Sequence, residues 1–175
     1  MRSLCFVLSM VMLTFCTAAY AQSPAKPVAT SDAQKAFDLM KTLAGNWQGP
    51  VTVDNPAWAT DKPLSVSMRV ASHGTALVHE LNTGTPEVSV FYVEGDRLVL
   101  IHYCDYGNRV RMVGRPSPDG KTVEFDLVDL SGSDEIGHVT HWVFTVVDAG
   151  HHVEDGTGLM GGKPLHAKLD LKRVQ

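Results

Sequence analysis

Apolar and polar residues alternate in many short runs from Asn46 to the end of the chain. Residues 64–70 place an apolar side chain at every second position, and residues 123–127 and 165–171 repeat this period of two. Such alternation is typical of strands that bury one face and expose the other. Gly, Asp and Pro separate most neighbouring runs. The predicted strands cover 47–53, 64–70, 75–83, 87–94, 96–105, 108–116, 123–127, 138–148, 151–159 and 165–171.

This succession of strands predicts an all-β fold. About ten consecutive hairpin-connected strands with one apolar face close most simply into a single up-and-down antiparallel β-barrel. A two-sheet sandwich is the alternative, but it needs longer crossing connections than this sequence offers.

One short helix is predicted before the first strand. Ser31 is placed to cap it, with Gln34 three residues later in capping-box spacing. Phe37 and Met40 fall on one face, and Gly45 provides a stop signal. A helix this short cannot stand alone, so its apolar stripe must pack against the barrel.

The first residues are predicted to direct export. Arg2 is followed by a nearly continuous apolar run over residues 4–19 and by a small-x-small motif that ends at Ala21. This pattern is typical of a cleaved signal peptide. We therefore predict a signal peptide over 1–21, a flexible leader over 22–30, a barrel domain over 31–175, and a periplasmic or secreted location.

Composition narrows the possible partners. Without residues 1–21 the chain keeps 14 basic and 19 acidic residues. A mildly acidic chain without a basic stripe disfavours a nucleic-acid partner. Cys5 and Cys16 fall within the signal peptide, so Cys104 is left alone and no intrachain disulfide is possible.

The hairpin over 96–112 carries the densest set of polar candidates. If its two strands join at Tyr106 and Gly107, His102 pairs with Arg111 and Cys104 with Arg109. That polar set either faces the interior, where it could hold a ligand, or faces water. Burying two arginines without partners is costly, so residue physics slightly favours the second arrangement. A loop of odd length would instead unpair His102 from Arg111.

These residues suggest a pocket for a small apolar or amphipathic molecule near His102 and Arg111. His79 and Glu80 lie on opposite faces of one strand, so one of them faces the interior. An enzyme that uses His102 with Cys104 is an alternative. The sequence shows no recognisable catalytic triad, however, and we predict no catalytic residues. The candidate ligand-binding residues are His102, Tyr103, Cys104, Asn108, Arg111, Glu80 and Tyr92.

Eight histidines raise the question of a metal. Ligands from one strand need even spacing to share a face. His102 and Cys104 have that spacing, but they supply only two ligands, whereas zinc usually takes at least three from protein. We predict no metal site. Two further histidine pairs have odd spacing: His138 with His141, and His151 with His152.

Two family resemblances add expectations. LAGNWQG at 43–49 resembles the opening of lipocalin-like proteins, with Gly45 and Trp47 in the spacing of that pattern. Residues 91–112, 119–129 and 137–148 resemble a group of exported bacterial lipocalin-like barrels of unassigned function. This resemblance implies a calycin barrel that can hold a small molecule. It implies no particular activity.

The last strand, LHAKLDLKRV, resembles the closing strand of nitrobindin-type haem barrels. That resemblance implies haem as an alternative ligand, with His166 as the iron-binding residue. The alternation along the strand argues against a haem ligand, because it places His166 on the solvent-exposed face with Lys168, Asp170 and Lys172.

Two strands, 88–93 and 98–103, are apolar on both faces. Their outward side would form a hydrophobic strip, which in a soluble protein suggests a contact surface. We predict a possible homodimer through strands 88–103.

Overall fold

The computed structural model describes residues 30–175. The predicted signal peptide and nearly all of the predicted leader lie outside the described residues. These residues form one α-helix and eleven strands: α1 (Asp32–Lys41), β1 (Gly45–Gly49), β2 (Val51–Val53), β3 (Leu64–Ala71), β4 (Ala76–Asn82), β5 (Pro86–Glu94), β6 (Arg97–Tyr103), β7 (Arg109–Pro116), β8 (Thr122–Ser131), β9 (Gly137–Asp148), β10 (His151–Met160) and β11 (Lys163–Val174). Two short 3-10 helices, Pro56–Trp58 and Ser72–Gly74, lie in the links before and after β3.

The strands form one closed antiparallel barrel. From β3 to β11 each strand pairs with the next one along the chain. The first strand of the barrel is interrupted at Pro50: its first part, β1, pairs with both β3 and β11, and its second part, β2, continues along β11. Because β1 and β2 occupy one strand position, the closed barrel has ten strands. The predicted up-and-down barrel is confirmed, and the two-sheet sandwich is wrong.

Alternate side chains of each strand point into the barrel, as the period of two predicted. One half of the interior is filled by large side chains. Phe91, Phe125 and Phe144 meet edge to face with ring centroids 5.4 to 5.8 Å apart, a favoured aromatic geometry. The core around them includes Met68, Leu77, Leu98, Leu100, Met112 and Leu171.

Helix α1 packs against the filled half. Ser31 caps it by accepting a hydrogen bond from the backbone N–H of Gln34, as the sequence predicted. Phe37 and Met40 are buried in the core, whereas the helix ends at Lys41, before the predicted stop at Gly45. Within residues 30–175, no helix has the length and apolar character needed to cross a membrane.

The hairpin between β6 and β7 departs from the predicted register. His102 lies opposite Val110, and Arg111 lies opposite Ile101. The loop is closed by Cys104, whose N–H donates to the carbonyl of Asn108. Three residues therefore separate the closing pair, rather than two. The predicted pairing of His102 with Arg111 is wrong, and the two side chains point to opposite faces.

Candidate functional site

The half of the barrel away from α1 contains a cavity of about 740 Å³. Its rim is formed by the ends of β4, β6 and β10 and the starts of β3, β5, β9 and β11. Gly156 occupies an inward position of β10 and leaves the space beside Trp142 unfilled. Gly158 also lines the cavity, at a point where a Cβ would meet the backbone of His138. Apolar side chains provide much of the remaining lining: Val51, Val53, Leu64, Leu81, Val139, Leu165 and Leu169.

A carboxylate and an imidazole form the polar part of the cavity wall. His102 is 4% exposed, and its Nε2 lies 3.2 Å from Oε2 of Glu87. Its Nδ1 shares a hydrogen bond of 2.9 Å with the hydroxyl of Ser89, which is fully buried behind it. Glu87 and Ser89 are two apart on β5, so both point inward. The imidazole is thus held by a hydrogen bond at Nδ1 and has a carboxylate oxygen near Nε2.

Cys104 also lines the cavity, next to this wall. Burial raises the pKa of its thiol and the negative charge of Glu87 raises it further, so that the pKa is about 11 instead of 9.0. The register predicted from the sequence sets Arg109 beside Cys104, where its charge would lower this pKa, but Arg109 lies opposite Tyr103 on the outer face. A thiol with a raised pKa is a poor nucleophile near neutral pH.

We expect Cys104 to react slowly with iodoacetamide. The thiolate is the reactive form, and a rise of the pKa from 9.0 to about 11 lowers its fraction at neutral pH by about a hundredfold. Intact-mass spectrometry of the native protein measures the rate, with the urea-unfolded protein as the reference. Glu87→Gln should speed the reaction because it removes a negative charge. A native rate equal to the unfolded rate would contradict this account.

Asn108 lies beside the cavity and connects two loops. Its amide nitrogen donates to the carbonyls of Ser133 and Gly137, at 2.8 and 2.7 Å. The side chain therefore ties the β6–β7 loop to the β8–β9 loop. This tie fixes the loop that carries Cys104 and Tyr106 at the mouth of the cavity.

Four of the predicted ligand-binding residues lie on the outer surface. Tyr103 is 51% exposed, and Tyr92 is half-buried on the outer face of β5. Glu80 is exposed, while its neighbour His79 points inward and is buried. Arg111 pairs with Glu94 outside the barrel. Of the seven predicted residues, the structure brings only His102 and Cys104 to the cavity wall.

His166, the residue implied as a haem ligand, faces outward. Its Nε2 lies 2.7 Å from a carboxylate oxygen of Asp155 on the outer face of β10. The residues therefore do not fit a haem held inside the barrel by His166. On the outer surface two other histidines are paired with aspartates in the same way: His141 with Asp126 and His151 with Asp170.

A second polar cluster lies between the cavity and the filled half. His79, His152 and Glu154 are each 0% exposed. The Nε2–H of His152 donates to Glu154 at 3.0 Å, and the Nε2–H of His79 donates to the same carboxylate at 3.2 Å. Trp142 separates this cluster from the cavity wall, since its ring lies 5.5 Å from His79 and 5.3 Å from His102.

The carboxylate of this cluster is held in its charged form. Burial by itself raises the pKa of Glu154, but the charges and hydrogen bonds of His79 and His152 together outweigh burial and lower it from 4.5 to about 2. The Nδ1 atoms of both histidines have no hydrogen-bond partner among the described residues. A buried carboxylate with two imidazole donors is thus a fixed part of the interior.

Sequence analysis missed Glu87, Ser89, His152 and Glu154. The signal was available, because each pair is two residues apart on one strand and therefore shares a face. His151 and His152 are adjacent and therefore point to opposite faces, whereas His152 and Glu154 share the inward face of β10.

The predicted dimer surface is only partly exposed. Val99 is 0% exposed although it points outward, and Tyr103 is the one large hydrophobic residue of strands 88–103 that is clearly exposed. The Arg111–Glu94 pair lies on the same face. A homodimer through these strands stays a prediction.

The chain belongs structurally to the closed up-and-down β-barrels. A solved protein of Nostoc punctiforme, described as having unknown function and coming from the DUF3598 family, matches it with a TM-score of 0.55 over 77% of this chain. The sequence identity is 12%, so this likeness shows the fold alone, and our chain spans 48% of that protein's length. No family model and no curated protein matches this chain.

Proposed function

We propose that this barrel binds a small apolar or amphipathic molecule in its interior. The supporting observation is the cavity of about 740 Å³, which is open at one end of the barrel while the other half is filled by aromatic and aliphatic side chains. Ligand pockets of proteins commonly measure ~300–1,000 Å³ and combine apolar walls with a few fixed polar groups. Glu87 and His102 are such groups here.

Apolar contact would supply most of the binding free energy. Each Å² of apolar surface removed from water contributes about 25 cal/mol. The mostly aliphatic lining can shelter a hydrocarbon body, while Glu87 and His102 stand at one wall to meet a polar group. Because the hydrogen bond with Ser89 fixes His102, that part of the wall is organised before a ligand arrives.

A Gly156→Leu variant should lose the binding of an apolar probe. Position 156 lines the cavity, and a Cβ there meets nothing closer than 3.8 Å, so a larger side chain can enter the space without backbone strain. We expect the affinity for the neutral fluorophore N-phenylnaphthylamine to fall by at least about tenfold. Fluorescence titration gives the affinity, and thermal unfolding gives the stability.

Gly156→Ala is the matched control, because it makes the same backbone change but adds only one methyl group. It should keep most of the probe affinity and should not lower the stability, since glycine in a strand is less favourable than alanine. If Gly156→Leu binds the probe as well as the wild type does, the interior is not the binding site.

A further inference from the structure

We propose that the cavity selects ligands whose polar end is a cationic amine rather than a carboxylate. This inference rests on the proposed function and names the ligand class of the same site. It follows from the kind of charge that the fold directs inward, which differs from the arginine anchor that the sequence suggested.

The inward charge is negative. Glu87 projects into the cavity from β5, and its side chain is 19% exposed. Its nearest charged contact is from Oε2 to Nε2 of His102, at 3.2 Å, and no side chain of the described residues donates a hydrogen bond to Oε1. This partly exposed carboxylate oxygen can therefore accept a hydrogen bond from a ligand that enters the cavity. An ammonium group supplies three donors and a positive charge.

The effect of this charge is visible on its neighbours. Burial raises the pKa of Tyr106, and the negative charges of Glu87 and Asp105 raise it further. Glu87 acts in the same direction on Cys104. All four residues line the cavity, which shows that this part of the wall disfavours a further anion.

The arginines do not offset this charge inside the barrel. Arg109, Arg111 and Arg115 point outward from β7 and pair with acids on the outer surface: Asp129, Glu94 and Asp126. Lys62 is the only lysine or arginine among the described lining residues, and it is exposed at the rim, where water screens it. A ligand carboxylate placed against Glu87 would therefore meet repulsion.

A matched series tests the preference: decylamine, decanol and decanoate, titrated by calorimetry at neutral pH and below their aggregation concentrations. The three share one chain and differ only in the end group. We expect the amine to bind about tenfold more tightly than the carboxylate, with the alcohol between them. Glu87→Gln should narrow the gap between amine and carboxylate.

Two controls separate the cavity from the acidic outer surface. Glu124→Gln removes one negative charge from the outer face of β8 and should leave the ranking unchanged. Gly156→Leu fills the cavity and should remove amine binding, whereas adsorption to the outside would survive it.

The outcomes separate the two proposals. Equal affinity for the three compounds, or tightest binding of decanoate, overturns the amine preference and leaves the proposed function standing. Amine binding that survives Gly156→Leu also overturns it, because that binding is external. If none of the three compounds nor the neutral fluorophore binds the wild type, the proposed function fails, and the preference fails with it.

Discussion

Replacing Glu154 with leucine should destabilise the protein by about 3–5 kcal/mol, since it breaks a buried charged cluster by removing one partner. The two imidazole N–H groups of His79 and His152 would lose their common acceptor in an interior where none of the three residues is exposed. Urea unfolding followed by circular dichroism measures the free energy of unfolding. Asp155→Ala, at the next position of β10, is the control. It breaks a partly exposed pair with His166 and should cost less than about 1 kcal/mol.

The same cluster predicts a specific response to acid. Because the folded-state pKa of Glu154 is about 2 and its ordinary value is 4.5, its charge contributes stability in full above pH 4.5 and loses it as the pH falls through 2. Glutamine at this position does not titrate. The stability difference between wild type and Glu154→Gln should therefore narrow as the pH falls from 4.5 to 2. A difference that does not change with pH would contradict a charged Glu154.

Replacing all three residues of the cluster should lower the free energy of unfolding much less than replacing Glu154 alone. In a His79→Leu, His152→Leu and Glu154→Leu triple variant, no polar group is left without a partner, and apolar replacement of buried ion pairs is often neutral. Recovery of most of the stability lost in Glu154→Leu would show that the cluster is not required for the fold. Additive losses would instead show that it holds the interior together.

The barrel could be predicted because the alternation of apolar and polar residues along its strands does not depend on the structure of the loops. On β11 the inward Leu169 and Leu171 alternate with the outward Lys168 and Asp170, and this contrast fixes both the period and the buried face. The helix was predictable for a similar reason, since its cap and apolar stripe are local features. The closure of the barrel then followed from short links between neighbouring strands.

The β6–β7 hairpin could not be placed in the same way. Its strands are apolar on both faces, so the alternation that fixes register elsewhere is weak there. A shift of one residue in the loop moved Arg111 from the predicted pocket to the outer surface. Gly107 has a φ of +79°, which fits the last position of a three-residue loop that ends in a left-handed glycine. That signal favours the observed loop over a two-residue turn.

The buried cluster depends on contacts that no local pattern contains. His152 and Glu154 are neighbours on one face of β10, but His79 is 75 positions away from Glu154 in the sequence. Only closure of the barrel brings the three together. The sequence can therefore predict which polar residues of one strand share the inward face. It cannot predict which residue across the barrel contacts them, because that depends on the three-dimensional arrangement.

Trp47→Ala should lower the free energy of unfolding by about 3–5 kcal/mol, as much as Glu154→Leu, because it leaves a large cavity in the core. The indole N–H of Trp47 donates to the carbonyl of Leu43 at 2.8 Å, and its ring meets the edge of His152 at 4.2 Å. Arg173 lies over the indole at 4.1 Å and donates to the carbonyls of Thr42 and Ala44, just after α1. The tryptophan thus joins the helix, the first strand and the last strand.

Trp47→Phe separates packing from the hydrogen bond. It keeps an aromatic ring under Arg173 and beside His152 but loses the indole donor, so we expect it to cost about 1–2 kcal/mol, well below Trp47→Ala. Hydrogen exchange of α1 amides adds a readout of the end of the barrel that the helix covers. If the helix is joined to the barrel through Trp47, Trp47→Ala should speed exchange in α1 more than in β7 or β8. Uniform acceleration across the chain would show that the tryptophan supports global stability without a specific link to the helix.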